Sequence, residues 1–244
     1  MTDVDGTDND DVARLIAPTE FGRHVPLSWS SYAEAIKLLD GLWRERQPRG
    51  RSFSVLGTRP SWEDTIARGQ HLFETGSWAE LDAETISLIA PTVYLADGDA
   101  LLGSIGRRSK DVRFFLFDPN AAPDRNRILR ILHDVRSLSR ESIPVMGGDI
   151  LVEMCRVRGV GKGLATRLLT LARPDGFVVV NNASREWLSR ATGLPLTGKK
   201  RSYNDLLKWV HDQPWAHSPH PRDDVEKRIA ANRVAFLDAF AYEP

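Results

Sequence analysis

The chain has 244 residues, of which 41% are apolar, and this is enough to bury the core of one large or two small domains. No stretch approaches the roughly 20 consecutive apolar residues of a membrane span, and the acidic N-terminus resembles neither a signal peptide nor a transit peptide. The single cysteine, Cys155, excludes an internal disulfide and a four-cysteine metal site within one chain, so we expect a cytoplasmic protein with no membrane partner.

Apolar residues recur at helical spacing along most of the chain. The pattern predicts a first long helix that ends before Pro48, a second that begins near Pro123, and a third close to the C-terminus. The positions that define the three stripes are Tyr32, Ile36, Leu39 and Trp43, then Ile128, Ile131, Leu132, Val135 and Leu138, and finally Val225, Ile229, Phe236 and Phe240.

Shorter apolar stripes predict further helices, whereas strand-like runs are few. The shorter helices are expected at about residues 61–74, 80–90, 148–157, 163–172, 183–192 and 203–212. The strand-like runs are Ser52–Leu56, Thr92–Leu95 and Arg113–Phe117. The run Phe177–Val180 is compatible with a strand or with a buried extended connector. The predicted fold is therefore mainly α-helical with a few short strands.

Charge is distributed unevenly, although the formal net charge is zero. Residues 1–11 contain five aspartates and no basic residue, which predicts a disordered acidic tail. Residues 12–120 are predicted to form an N-terminal helical lobe, and residues 121–244 a second lobe across a cleft. Within this second lobe, residues 156–233 contain 15 Lys and Arg residues and 7 Asp and Glu residues. This segment is either a solvated basic face or a surface for an acidic partner such as nucleic acid.

A glycine-rich turn, Gly159-Val160-Gly161, joins two apolar helix faces within the basic segment. The glycines permit a tight hairpin and let the backbone approach a phosphate, while Val160 fills the shared core and Ala165 allows close helix packing. Amides at the start of the second helix form an anion site that the helix dipole reinforces. The residues predicted to hold the DNA backbone are Gly159, Val160, Gly161, Lys162, Gly163, Thr166 and Arg167. A second basic group, Lys199 and Lys200, is predicted to contact phosphate or to lie in a solvated loop.

This pattern resembles the helix-hairpin-helix family, and over about residues 120–240 the spacing is similar to that of the DNA glycosylases of that superfamily. The resemblance implies a two-lobed helical fold that grips double-stranded DNA without reading its sequence, flips one base and hydrolyses its N-glycosidic bond. No cofactor is expected, because hydrolysis at the sugar carbon needs no phosphoryl activation, and a monomer is the expected state. Where bifunctional members carry a Schiff-base lysine this chain has Gly163, and Lys162 lies one residue early. Because one residue turns a helix by about 100°, the shift favours a monofunctional enzyme.

The second departure from the glycosylase pattern concerns the catalytic acid. Asn181 stands where the family places its aspartate, and an amide supplies neither negative charge nor useful basicity. Either another carboxylate serves, with Asp149, Glu153 and Asp175 the nearest in sequence, or the fold is kept for binding alone. In the second case Asn181 only caps the next helix, and Asp149 is also interpretable as a helix cap.

Three functions therefore remain open from the sequence. The first is a glycosylase for a modified or damaged base, with glucosylated hydroxymethylcytosine in phage DNA as one candidate, because the chain resembles bacterial anti-phage glycosylases in general character. The second is a non-catalytic DNA-binding module of a repair or restriction complex, and the third is a helical adaptor for an acidic protein. The histidines at 211, 217 and 220 lack metal-site spacing, so no metal is expected.

Overall fold

The computed structural model describes residues 28–46, 53–58, 60–75, 78, 81–91, 101–102, 109–197 and 199–241, and these form a mainly α-helical protein. The predicted acidic tail (1–11) and the predicted strand at 92–95 lie outside the described residues. The α-helices are α1 (Trp29–Arg46), α2 (Trp62–Thr75), α3 (Ala83–Ile89), α4 (Lys110–Phe117), α5 (Ala122–Arg136), α6 (Ile143–Cys155), α7 (Lys162–Ala172), α8 (Asn182–Thr192), α9 (Lys200–His211), α10 (Pro214–His217) and α11 (Asp224–Asn232). Two 3-10 helices span Pro119–Ala121 and Ala235–Ala241.

The first two long helices form because their apolar stripes are buried, as the periodicity predicts. The stripe of α1 runs from Tyr32 to Trp43 and faces the core along its whole length. Helix α5 buries Ile128 and Leu132 in the same way, and Pro123 occupies its first turn. Burial of each such side chain contributes about 1.5–3 kcal/mol, so the stripes outweigh the modest intrinsic helix propensity of these segments.

The predicted strands are wrong wherever the structure describes them. Arg113–Phe117 belongs to α4, which Ser109 caps by accepting a hydrogen bond from the Val112 amide, and whose Phe115 is buried. Ser54 makes only an isolated bridge with Ser61. The alternative of a buried connector is the correct one for the run at 177–180, which is extended and packs between α-helices without pairing.

Helix α6 begins five residues earlier than predicted, because the two glycines at 147 and 148 lie inside it and do not open it. These glycines allow α9 to approach closely. A Cβ at Gly147 would overlap the Leu207 side chain, and one at Gly148 would lie 2.7 Å from the carbonyl oxygen of Lys200. The Gly148 amide also donates to Oδ1 of Asn204 at 2.6 Å. The glycine pair therefore sets the α6–α9 packing that supports the hairpin.

The C-terminal stripe is split into α11 and a 3-10 helix where the chain turns at Arg233. The amides of Val234 and Ala235 both donate to the carbonyl oxygen of Pro174, at 3.1 and 2.8 Å. Helix α1 packs against α10, α11 and the C-terminal 3-10 helix. The described core is thus continuous across residue 120, and the proposed division into lobes at that residue stays a prediction.

Candidate nucleic-acid interface

The hairpin between α6 and α7 has the turn that the glycine spacing predicts. Gly159 has a φ of +89°, and its Cα approaches α4 so closely that a Cβ would overlap the carbonyl oxygen of Asp111. Val160 is buried, and its amide donates to the carbonyl oxygen of Val157 at 3.0 Å. Gly161 then caps α7, with its carbonyl oxygen accepting from the Ala165 amide at 2.8 Å. Helix α4 therefore packs directly against the turn at Gly159 and holds one side of the hairpin.

The opposite side of the hairpin is open. A Cβ at Gly161 or Gly163 would meet no atom within 4 Å, and both Gly161 and Lys162 are exposed. Gly161 offers no side-chain cap, so the first-turn amides of α7 point outward without a side-chain acceptor from their cap residue. Outward amides, a positive helix dipole and the Lys162 ammonium group together favour an anion at this position.

The two glycines of the turn are expected to differ sharply in their tolerance of a methyl group. Gly159→Ala should lower the free energy of unfolding by about 3 kcal/mol, because a Cβ is strained at positive φ and overlaps the α4 backbone. Gly161→Ala is the matched control and should change it by less than about 1 kcal/mol, since φ there is −81° and the space is open. Equal losses in urea unfolding would contradict this assignment of roles.

Arginines beside the hairpin are engaged within the protein. Arg158 Nε donates to Asp111 at 2.8 Å, and its guanidinium lies 4.3 Å from the ring centroid of Phe114. Arg156 pairs with Glu153 at 3.0 Å. Both arginine side chains are exposed, so these pairs contribute little to stability, and Lys162 is a further exposed cation at the tip of the hairpin.

Two residues predicted to contact phosphate lie inside the protein, so that prediction is wrong for Thr166 and Arg167. Arg167 is fully buried and donates to the carbonyl oxygen of Leu88 from Nε at 3.0 Å and from Nη2 at 2.8 Å, and also to that of Leu101. It ties α7 to α3 and to the segment at 101–102. The physical reason is that α7 is surrounded by α2, α3, α5 and α6, so a polar side chain beyond its first turn has no path to solvent.

Thr166 connects the hairpin helix to the start of α8. Its hydroxyl accepts from the Val180 amide at 3.1 Å and lies 3.4 Å from the Val180 carbonyl oxygen. The next residue, Asn181, caps α8, because its Oδ1 accepts from the Ser184 amide while the Ser184 hydroxyl accepts from the Asn181 amide, both at 3.0 Å. Asn181 is therefore a helix cap, as one interpretation of the sequence predicts. The residue before it, Val180, makes the direct contact with α7.

The side chain of Asn181 also contacts a carboxylate that the sequence reasoning missed. Its Nδ2 donates to Oδ1 of Asp238 at 3.4 Å, and the indole of Trp62 donates to Oδ2 at 3.2 Å. Asp238 is buried in the C-terminal 3-10 helix, and burial raises the pKa of its carboxyl to about 7. The signal available in the sequence was a single acid within the apolar run Ala235–Ala241.

The three carboxylates nearest in sequence to the motif are each paired elsewhere. Asp149 lies in the middle of α6, where it is exposed and pairs with Lys200, so it is not a cap. Glu153 pairs with Arg127, which holds the pKa of its carboxyl below the usual value. Asp175 pairs with Arg173 at 2.7 Å. None of their described contacts includes Asn181.

The second predicted phosphate-binding group lies at the start of α9. Lys199 is the exposed cap residue of that helix, and Lys200, its first residue, spans the α6–α9 contact to Asp149. His211, at the other end of α9, is buried with Nε2 2.9 Å from the Gly176 carbonyl oxygen, and burial lowers the pKa of its imidazole. In the part of the chain that the structure describes, no three ligand-type side chains cluster as a metal site would require.

Comparison with known protein families, with curated proteins and with solved structures finds no match to this chain. Among the described helices, none combines the length and the apolar character that crossing a membrane demands.

Proposed function

We propose that this protein holds the backbone of double-stranded DNA through the α6–α7 hairpin. The observation that carries the proposal is the two-sided construction of the turn. Gly159 is locked against α4, whereas the surface at Gly161, Lys162 and Gly163 is open and presents helix amides. A phosphate is the anion on DNA that such amides would bind, and this contact is independent of base sequence.

We further propose that the protein is a monofunctional DNA glycosylase that flips a modified or damaged base and hydrolyses its N-glycosidic bond. The arrangement of α7 and α8 supports this function. A phosphate bound at the start of α7 lies on the helix that holds Val180 through Thr166, and Asn181 follows directly. The candidate reaction centre is therefore attached through Val180 to the same helix that would bind the phosphate, which suits base extrusion beside a fixed phosphate.

The position of the lysine supports hydrolysis by water instead of attack by an amine. Lys162 is the first residue of α7 and Gly163 is the second, so the exposed start of this helix carries its ammonium group outside the turn. A β-lyase needs a nucleophilic amine that reaches the sugar carbon. The proposed product is consequently an abasic site in an intact strand.

Base release from a panel of duplexes tests the glycosylase. The panel carries uracil, 8-oxoguanine, alkylated purines, hydroxymethylcytosine and glucosylated hydroxymethylcytosine, the last being our candidate substrate because of the resemblance to anti-phage enzymes. Strand breaks that appear on one duplex only after alkali treatment would support a monofunctional glycosylase and identify its base. Breaks without alkali would contradict the monofunctional mechanism.

A non-catalytic DNA-binding module is the second candidate, and one observation favours it. Both ends of the Asn181 amide have protein partners, since its Oδ1 caps α8 and its Nδ2 donates to Asp238. A purely structural amide would look the same. Tight, salt-dependent binding with no base release from any duplex of the panel would select this candidate over the enzyme.

Lys162→Ala tests the DNA grip itself. We expect the slope of log Kd against log salt to fall by about 0.9, because one phosphate contact is removed, with no change in thermal stability. Lys227→Ala on α11 removes the same charge from an exposed position that pairs with Asp224 and serves as the control, with an unchanged slope. Equal DNA affinity in wild type and Lys162→Ala, with loss of an acidic protein partner, would favour the adaptor function instead.

A further inference from the structure

The carboxylate of Asp238 is the point where four separate segments of the chain meet. Trp62 at the start of α2 and Asn181 at the start of α8 both donate to it. The backbone amide of Leu102 faces it and favours its ionised form, and Leu102 has a φ of +65°, which is unusual for a residue with a side chain. Such strain persists only where surrounding contacts hold it in place, and it often marks functional sites.

Burial alone does not explain this carboxylate. Asp238 is 3% exposed and lies within an apolar 3-10 helix, so an apolar residue of similar size would avoid the cost of removing a carboxyl group from water. Its Oδ1 is directed at the one amide that stands at the predicted catalytic position. Asp149, Glu153 and Asp175 each have a different partner.

We propose that Asp238 is a positioning residue for base excision that acts through Asn181, so that the pair replaces the single catalytic aspartate of the glycosylase pattern. This inference rests on the proposed glycosylase function. Asn181 is the half-buried member of the pair, and Asp238 is the buried member that its side chain contacts. The carboxylate fixes the orientation of the amide and supplies the negative charge that the amide lacks.

The reaction balances with water as the only co-reactant. The bond between the sugar C1′ and the base nitrogen breaks, and its electron pair leaves with the base. The oxygen of water bonds to C1′, and of the two water protons one stays on the new hydroxyl while the other reaches the departing base through solvent. Positive charge develops on the sugar before water attacks, and an ionised Asp238 stabilises that charge through the polarised Asn181 amide.

Only the ionised form of Asp238 supplies this charge, so excision should depend on pH. The groups that face the carboxylate are the indole of Trp62 from α2, the amide of Asn181 from α8, the Leu102 backbone amide and the Arg167 guanidinium from α7. Arg167 is the cation among them and favours the ionised form, whereas burial opposes it and raises the pKa to about 7. We therefore expect kcat/KM to rise with pH through about 7.

The test measures single-turnover base release, and its pH profile, on the duplex from which the wild-type protein releases a base. Asp238→Asn should lower the rate above neutral pH by about 100-fold and remove the rise near pH 7, while Kd for the same duplex stays within about twofold. The exchange variant Asn181→Asp/Asp238→Asn restores a carboxylate to the pair and should recover at least about tenfold of the lost rate. A merely structural role predicts neither the altered profile nor this recovery.

The outcomes separate the two proposals. An active wild type whose Asp238→Asn variant keeps the same rate and pH profile would overturn this inference and leave the glycosylase intact. A wild type that binds DNA and releases no base would overturn the glycosylase and this inference together. Should Asp238→Asn fail to fold, Asn181→Asp retains the helix cap and places two carboxylates in contact. Their repulsion should move the activity profile to higher pH, and an unmoved profile would overturn the inference.

Discussion

Replacing Arg167 with alanine is expected to lower the free energy of unfolding by about 4 kcal/mol, a large part of the stability of a domain. The guanidinium is fully buried and donates to the carbonyl oxygens of Leu88 and Leu101. Without it, these acceptors stay buried and lose a charged donor, and a cavity opens in the side of α7. Urea unfolding followed by circular dichroism measures the loss.

Arg185→Ala provides the control for this variant, because Arg185 is exposed on α8 and its removal should cost less than about 0.5 kcal/mol. Arg167→Lys should be nearly as damaging as the alanine variant, since a single ammonium group does not reproduce the planar set of donors. A loss below about 1 kcal/mol for Arg167→Ala would mean that the buried contacts are dispensable. Reduced DNA affinity in Arg167→Ala would reflect unfolding, which makes Lys162 the informative position for binding.

The long helices were predictable because a single physical rule decides them. In α1 and α5 the apolar residues fall on one stripe, and burying that stripe dominates the energetics of the segment. The glycine turn was also predictable from local sequence, because a tight turn favours glycine. The structure agrees, since Gly159 has positive φ and no room for a Cβ. The mainly α-helical class and the position of the hairpin therefore follow from local sequence.

Short segments were decided by their surroundings instead. Arg113–Phe117 contains the large apolar residues that strands favour, yet Ser109 caps it as a helix and the neighbouring helices bury one side. In the sequence, Gly147 and Gly148 indicate a helix start. In the structure they lie inside α6 and allow α9 to approach closely. Neither outcome is visible without knowing which elements pack together.

The candidate site divides in the same way. Exposure of the first turn of α7 follows from the motif, whereas the inward direction of Thr166 and Arg167 depends on helices that surround α7 from distant parts of the chain. The pairing of Asn181 with Asp238 joins residues 57 positions apart. Spacing near the motif pointed to Asp149, Glu153 and Asp175 because sequence distance is a poor guide to spatial distance across a helical fold.

Asp238 also makes the stability of the protein depend on pH. Because burial raises the pKa of this carboxyl from 3.8 to about 7 in the folded state, the unfolded chain releases the proton at lower pH than the folded protein does. The stability that the protonated carboxyl provides is fully present below about pH 4 and is lost as pH rises to about 7. Between about pH 5 and pH 7 the free energy of unfolding should fall by about 2 kcal/mol through this group alone.

The difference between wild type and Asp238→Asn isolates this effect, since a neutral amide binds no proton in this range. Burial lowers the pKa of His211, so its contribution is lost as pH falls through the range, and it cancels in the difference. The ion pair with Arg222 lowers the pKa of Glu226 to about 2, so Glu226 stays ionised throughout. Chemical unfolding at several pH values should therefore show that the free energy of unfolding of the variant increases relative to that of the wild type as pH rises. A constant difference would mean that Asp238 is already ionised at about pH 5, and the expected rise of excision near pH 7 would then move to lower pH with it.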